Sequence, residues 1–254
     1  MGILASILMF ANVENKLSFL LKLEDLIGER REYDRVSWRL REYNIDLDIP
    51  FFFQLEKIGA QRRLAEKSIL GDEAFILKVD VPVEHRSFEG LWRVKDTKEL
   101  RIFHYKKPEI ENFAVMVTEH GSAAIKCALR ILKKQKLYPL EVYVELPRGR
   151  RGLDLIGDLG NMGRIYISNV LNSFVKGAGL YGKDLQRSDV AEDLLRRGGK
   201  IKAAVLEDRQ RNIKIVISSK GIIYSYRKIL PEVFVEEIAN IIEVFKQRNF
   251  IRLK

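Results

Sequence analysis

The sequence predicts a mixed α/β fold of the α+β kind. An N-terminal helical and β part spans residues 1–110, and a mixed sheet with flanking helices spans 111–254. Three observations predict it. The apolar positions of the second half switch repeatedly between a spacing of about 3.6, the helix signature, and alternation, the strand signature. The turns between them carry Gly or Pro, which end regular structure. Of the 254 residues, 46% are hydrophobic and 31% charged, a balance that builds a core and excludes a disordered tail, a collagen or a disulfide scaffold.

The first ten residues hold Ile3, Leu4, Ile7, Leu8, Met9 and Phe10 and read as a buried helix or strand. They lack a basic stretch and a small-residue cleavage site, so a signal peptide is not expected. Glu14 and Lys16 interrupt the run well short of a membrane span. Residues 14–45 read as helical: Leu17, Leu20, Leu21 and Leu23 fall at mixed helical spacing, and the Arg- and Glu-dense stretch after Glu29 suits an exposed, ion-paired face. Pro50 marks a break, and 54–70 reads as a second helix ended by Gly71. Alternation then predicts strands over 74–81, 90–94 and 100–105, punctuated by Pro82 and Pro108. A domain boundary falls near 108–112, with no long flexible linker, so the two parts are expected to pack closely.

The second half is plainer. Phe113–Thr118 is a short apolar strand, and 121–136 a helix with the stripe Ile125, Ala128, Leu129 and Leu132. Residues 140–146 alternate as a strand, and the loop Pro147-Arg148-Gly149-Arg150-Arg151-Gly152 follows. Alternation of Leu153 and Leu155 with Asp154 predicts a strand over 153–158, paired through a Gly-containing turn with a strand over 164–168. Ser188 caps a helix over 189–197 that Gly198-Gly199 stops. Strands follow over 201–206, Ile213–Ser218 and 222–226. Pro231 opens a final helix to Gln247, with Phe234, Ile238, Ile241, Ile242 and Phe245 on one side.

Composition narrows function without fixing it. Lys and Arg number 45 against 35 Asp and Glu, a formal net charge of +10, which favours a polyanionic partner such as nucleic acid. Cys127 is the single cysteine, so an internal disulfide and a cysteine-based zinc site are excluded and a reducing, cytoplasmic setting is expected. His85, His104 and His120 share no metal-ligand spacing. The abundance of Lys, Arg and Glu suits a thermophile. The sequence has no phosphate-binding glycine loop, dinucleotide fingerprint, Ser-His-Asp arrangement or Cys-x-x-Cys pair, which disfavours nucleotide hydrolysis, Rossmann cofactors and thiol chemistry.

The element order from Glu119, with Leu153-Asp154-Leu155-Ile156-Gly157 on a hairpin, resembles the core of the restriction-endonuclease-like PD-(D/E)xK superfamily, of the kind seen in archaeal Holliday junction resolvases. The resemblance covers residues 119–206, about a third of the chain. It implies a helix-opening carboxylate at Glu119, a strand carboxylate at Asp154, and Glu145 as a further acid. Such carboxylates hold Mg²⁺, which prefers oxygen ligands, positions water and stabilises charge on phosphorus. The family's Glu-x-Lys is missing from the third strand: Arg164-Ile165-Tyr166-Ile167-Ser168-Asn169 offers Tyr166 and Ser168 on one face, Ile167 and Asn169 on the other. Lys176 or Lys183 would have to supply the lysine, and Asp158 shares the expected strand face with Asp154. A second, local resemblance links Ala203-Ala204-Val205, the hairpin around Ser218-Ser219-Lys220-Gly221 and the final helix to a TATA-binding-protein repeat. Ile217 stands where that family's wedge phenylalanine would sit, so minor-groove kinking is not implied.

The expected catalytic set is therefore Asp154, Glu145 and Glu119, and the expected metal ligands are Asp154 and Glu145. The expected nucleic-acid contacts are Arg148, Arg150 and Arg151 in the glycine-spaced loop, with Arg196, Arg197 and Lys200 around the helix stop. Arginine grips phosphate bidentately and glycine lets backbone approach it. The leading expectation is a nucleic-acid-associated protein with a nuclease-like fold and an incomplete catalytic motif, binding DNA, RNA or a processing partner. The alternatives are an active Mg²⁺-dependent nuclease with a rearranged site and a non-enzymatic regulatory protein with a protein partner. A homodimer is open too, since resolvase-like cores often pair. No membrane association is expected.

Overall fold

A computed structural model of the chain describes residues 2–40, 45–59, 69–87, 90–170, 176–208, 212–219 and 221–253. The class is mixed α/β, with strands predominating. The N-terminal elements are β1 (Ile3–Met9), α1 (Val13–Glu24), β2 (Arg31–Leu40), β3 (Ile45–Gly59), β4 (Glu73–Ser87), β5 (Gly90–His104) and β6 (Phe113–Thr118). Then come α2 (Ser122–Lys134), β7 (Leu140–Val144), α3 (Arg150–Leu159), β8 (Met162–Ser168), β9 (Gly177–Tyr181), a 3-10 turn (Leu185–Arg187) and α4 (Asp189–Arg196). β10 (Lys200–Asp208), β11 (Ile213–Ser218), β12 (Ile223–Ser225), α5 (Pro231–Gln247) and β13 (Ile251–Leu253) complete the chain.

Among the described residues the strands join in one sheet of order β2-β3-β4-β5-β6-β1-β12-β11-β10-β8-β9, and the named strands pair antiparallel. The apolar first residues form the strand β1 near its centre. One edge of β1 pairs with β6. The other is shared: Ile3–Ala5 pair with β12, and Ile7–Met9 with β7, which carries β13 on its far side. Residues 105–112 thus join neighbouring strands of the same sheet, and Ile110 within them is fully buried.

Two cores lie on opposite faces. Phe113, Val115 and Val117 of β6 point into a core with Leu153 and Ile156 of α3 and Phe234, Ile238 and Ile242 of α5. Ala114 and Met116, between them, point into a second core with Phe19 and Leu23 of α1 and Ala124, Ala128 and Ile131 of α2. That is why β6 reads as an unbroken apolar run rather than an alternating one. Each fully buried side chain of this size contributes roughly 1.5–3 kcal/mol. Among the described residues no helix is long and apolar enough to cross a membrane.

Four expectations are corrected. Among the described residues the helix expected over 14–45 is α1 only; Arg31–Leu40 is strand β2, at the edge of the sheet, and residues 41–44 lie outside the described residues. Gln54 to Gly59 continue β3, with Phe51, Phe53 and Leu55 buried in alternation; of the rest of that expected helix, residues 60–68 lie outside the described residues and Leu70 forms an isolated bridge with Tyr105. Pro50 and Pro82 sit inside paired strands rather than at breaks. Residues 153–158 are helical, within α3, because Leu153 and Ile156 bury one helix face while Asp154 and Asp158, one turn apart, stay exposed.

Candidate functional site

The glycine-spaced basic loop is positioned by backbone constraints. Gly149 has φ +66°, the left-handed region where a side chain is strained, and it turns the chain from β7 into α3 at Arg150. A Cβ on Gly152 would lie 2.4 Å from the Pro147 carbonyl oxygen and 2.7 Å from Ile201 Cδ1. The first turn of α3 therefore sits against the start of β10, beside Lys200.

Side chains complete the junction. Arg150 Nε donates to Asp154 Oδ1 at 2.9 Å, and Arg150 Nη1 to Glu192 Oε2 on α4 at 2.8 Å. The other Glu192 oxygen accepts from Arg196 Nη2 at 2.6 Å. Arg197 pairs with Asp193 at 2.9 Å. The hydrogen bond from Arg150 to Asp154 raises the arginine's pKa above its ordinary value, with Glu192 adding to the effect. The segments 148–151 and 196–200 are far apart in sequence and meet on one surface. Arg148 and Arg151 project from it, exposed and without an ion pair or side-chain hydrogen bond among the described residues.

The carboxylates do not converge. Asp154 is on a helix rather than on the strand that the resemblance implies, 55% exposed and held by Arg150. Asp158 pairs with Arg248 at 2.7 Å, and Glu145 with Arg252 Nε at 2.8 Å beside β13. Glu119 lines a different pocket of about 200 Å³ with Glu99, Arg101, Thr118 and His120. Among the described residues no three His, Cys, Asp or Glu side chains are grouped to hold a metal ion. Mg²⁺ does not fit this arrangement, because Asp154 and Glu145 each already neutralise an arginine. Lys176 and Lys183 flank β9, exposed.

One feature lies outside the residues singled out by the sequence. Tyr181 of β9, Tyr166 of β8, and Tyr224 and Tyr226 at β12 share the side of the sheet opposite α3 and α5. The rings of Tyr166 and Tyr181 meet edge to face at 6.3 Å, those of Tyr224 and Tyr226 at 4.8 Å. Alternation in β8 separates Tyr166 from Ile165 and Ile167, but only the strand register places the two tyrosine pairs on one face.

No protein-family model matches the chain, and no curated protein is significantly similar to it.

Proposed function

We propose that the protein binds nucleic acid through the basic surface formed where α3 meets α4 and β10, and that it does so as a binding protein rather than as a nuclease. The observation that carries this reading is the double contact of Arg150 with Asp154 and Glu192, which gathers Arg148, Arg151, Arg196, Arg197 and Lys200 around two anchored helix ends. Anchoring lowers the entropy lost when those cations engage phosphates. Arg148 and Arg151 are the side chains that bind first, since no acid competes for them. Arg196 and Arg197, at the C-terminal end of α4, also complement the partial negative charge of its dipole.

The test is a gel-shift titration of the full chain against the Arg148→Gln/Arg151→Gln variant. Loss of two phosphate contacts weakens binding about tenfold at low salt and makes the salt dependence shallower by about two in slope. Unchanged affinity and slope would refute the assignment.

A further inference from the structure

Among the described residues, helices cover the five strands β12, β11, β10, β8 and β9 on one face only. Ile165, Ile167, Ala204, Ile215, Ile217 and Ile223 point into the core shared with α3 and α5. On the other side of the sheet, α1 and α2 share their core with β1–β6. The opposite face of the five strands has its own order. Tyr181 pairs in register with Arg164, Arg164 with Val205, Val205 with Val216, and Val216 with Tyr224, one row across five strands. In the next row Gly179 faces Tyr166, which faces Ala203. Val205 and Val216 are 4% and 1% exposed although they belong to neither helix-covered core.

We propose that this face is a stacking platform for the unpaired bases of a single-stranded nucleic acid. The inference rests on the nucleic-acid reading above for its ligand class, and it uses different residues. Tyr181, Tyr226 and Tyr166 are 63%, 68% and 37% exposed, more ring surface than a satisfied sheet face leaves in water. They are held, not loose. Tyr224 and Tyr226 share a hydroxyl hydrogen bond of 2.7 Å, and a Cβ on Gly179 would touch both Tyr166 and Tyr181 at about 3.5 Å. The rings form two pairs, Tyr166 with Tyr181 and Tyr224 with Tyr226, separated by Val205 of β10 and Val216 of β11. Two fixed ring pairs on one face suit the bases of an unpaired strand, because every base has a π face and stacking needs no base-specific hydrogen bond. Paired bases in a duplex hide those faces.

Charge selects the occupant. The Arg164 guanidinium lies 5.2 Å from the centre of the Tyr181 ring, and exposed Arg227 and Lys228 follow Tyr226. Lys176 and Lys183 flank β9, and Lys202 is exposed on β10. Glu207 of β10 is matched by Lys214 at 2.6 Å. A second copy of the chain would bring its own +10 to this basic rim, whereas a phosphate backbone complements it.

The test uses the full chain and a labelled mixed-sequence 12-nucleotide strand of DNA, the same sequence as RNA, and the blunt DNA duplex (about one turn, a length set by the groove repeat). Tyr181→Leu/Tyr226→Leu weakens binding of both single strands about tenfold and leaves the duplex within roughly twofold. Tyr181→Phe/Tyr226→Phe, which keeps the rings, retains single-strand binding. Equal loss on strand and duplex, or no loss on either, overturns the proposal. If only Arg148→Gln/Arg151→Gln reduces binding, the basic surface stands and the platform fails. If the wild-type chain binds none of the probes, both readings fail. If it self-associates and the tyrosine substitutions release monomers, the face belongs to a second copy and the proposal is wrong.

Discussion

Arg150 and Glu192 meet at 2.8 Å, and this contact ties the helix after the basic loop to the helix before the second basic segment. Glu192 is 25% exposed and also holds Arg196, so it is the acid on which the local cation arrangement turns. Glu192→Gln frees Arg196 and leaves Arg150 with Asp154 as its one acidic partner. An exposed ion-pair network of this kind contributes little to stability, so the variant loses under about 1 kcal/mol in urea denaturation. It binds nucleic acid more tightly than wild type at low salt, because a competing carboxylate is gone, and its salt dependence steepens by up to about one in slope. Weaker binding would mean that positioning by Glu192 outweighs its charge.

Gly152→Ala tests how the loop is held. The added methyl would press on a backbone carbonyl at Pro147 and on Ile201, neither of which gives way freely. The expected cost is roughly 1–3 kcal/mol, lowering Tm by about 2–4 °C per kcal/mol in calorimetry. A variant as stable as wild type would show that α3 is not seated on β10 as described.

Much of the second half was legible in the sequence, for identifiable reasons. Pro231, the stripe from Phe234 to Phe245 and the Ser188 cap are local signals, and α5 and α4 follow them; Ser188 accepts from the Ala191 amide. Strand β6 was legible because it is apolar throughout. The strand expected over 153–158 failed because Leu153-Asp154-Leu155 alternates, and a helix burying Leu153, Leu155 and Ile156 gives the same first three letters. The helical reading of 14–45 failed at Arg31–Leu40 because ion pairing between near neighbours is as available on an edge strand as on a helix; Arg35 pairs with Glu32 in β2. Of the candidate site, the basic residues could be named from composition, but their meeting could not, since Glu192 and Arg150 are joined only by the tertiary fold. The tyrosine face was hidden for the same reason: Tyr166, Tyr181 and Tyr224 stand on separate strands, and register alone puts them on one side of the sheet.

A pH dependence follows from the region under α1. Lys16 is 5% exposed, and its Nζ donates to the Tyr105 carbonyl at 3.0 Å. Burial lowers its pKa. Burial, reinforced by the charge of Lys16, lowers the pKa of His104 from 6.5 to about 4. The folded state therefore favours neutral His104, and its contribution is fully present above pH 6.5. As pH falls from 6.5 to 4 the unfolded chain takes up the proton first, and about 3 kcal/mol of stability is lost. Urea denaturation across that range reads the loss, and His104→Leu flattens it. A wild-type curve that rises toward pH 4 would contradict the assignment.

Metal dependence separates binding from cleavage. Because Asp154 and Glu145 are each committed to an arginine, Mg²⁺ or Mn²⁺ produces no cutting of junction, duplex or single-stranded substrates. Asp154→Asn frees Arg150 from one partner, and its affinity for nucleic acid stays equal or rises. Mn²⁺-dependent cleavage abolished by Asp154→Asn would establish a nuclease instead.

The most direct measurement of the central claim is the affinity of the full chain for a short duplex as salt is raised from roughly 50 to 200 mM. Contacts from the assembled arginines to phosphates make log K fall linearly with log salt, with a slope magnitude of about two or more, most of it lost in Arg148→Gln/Arg151→Gln. Absence of binding at the lowest salt, or binding indifferent to salt, would contradict the account.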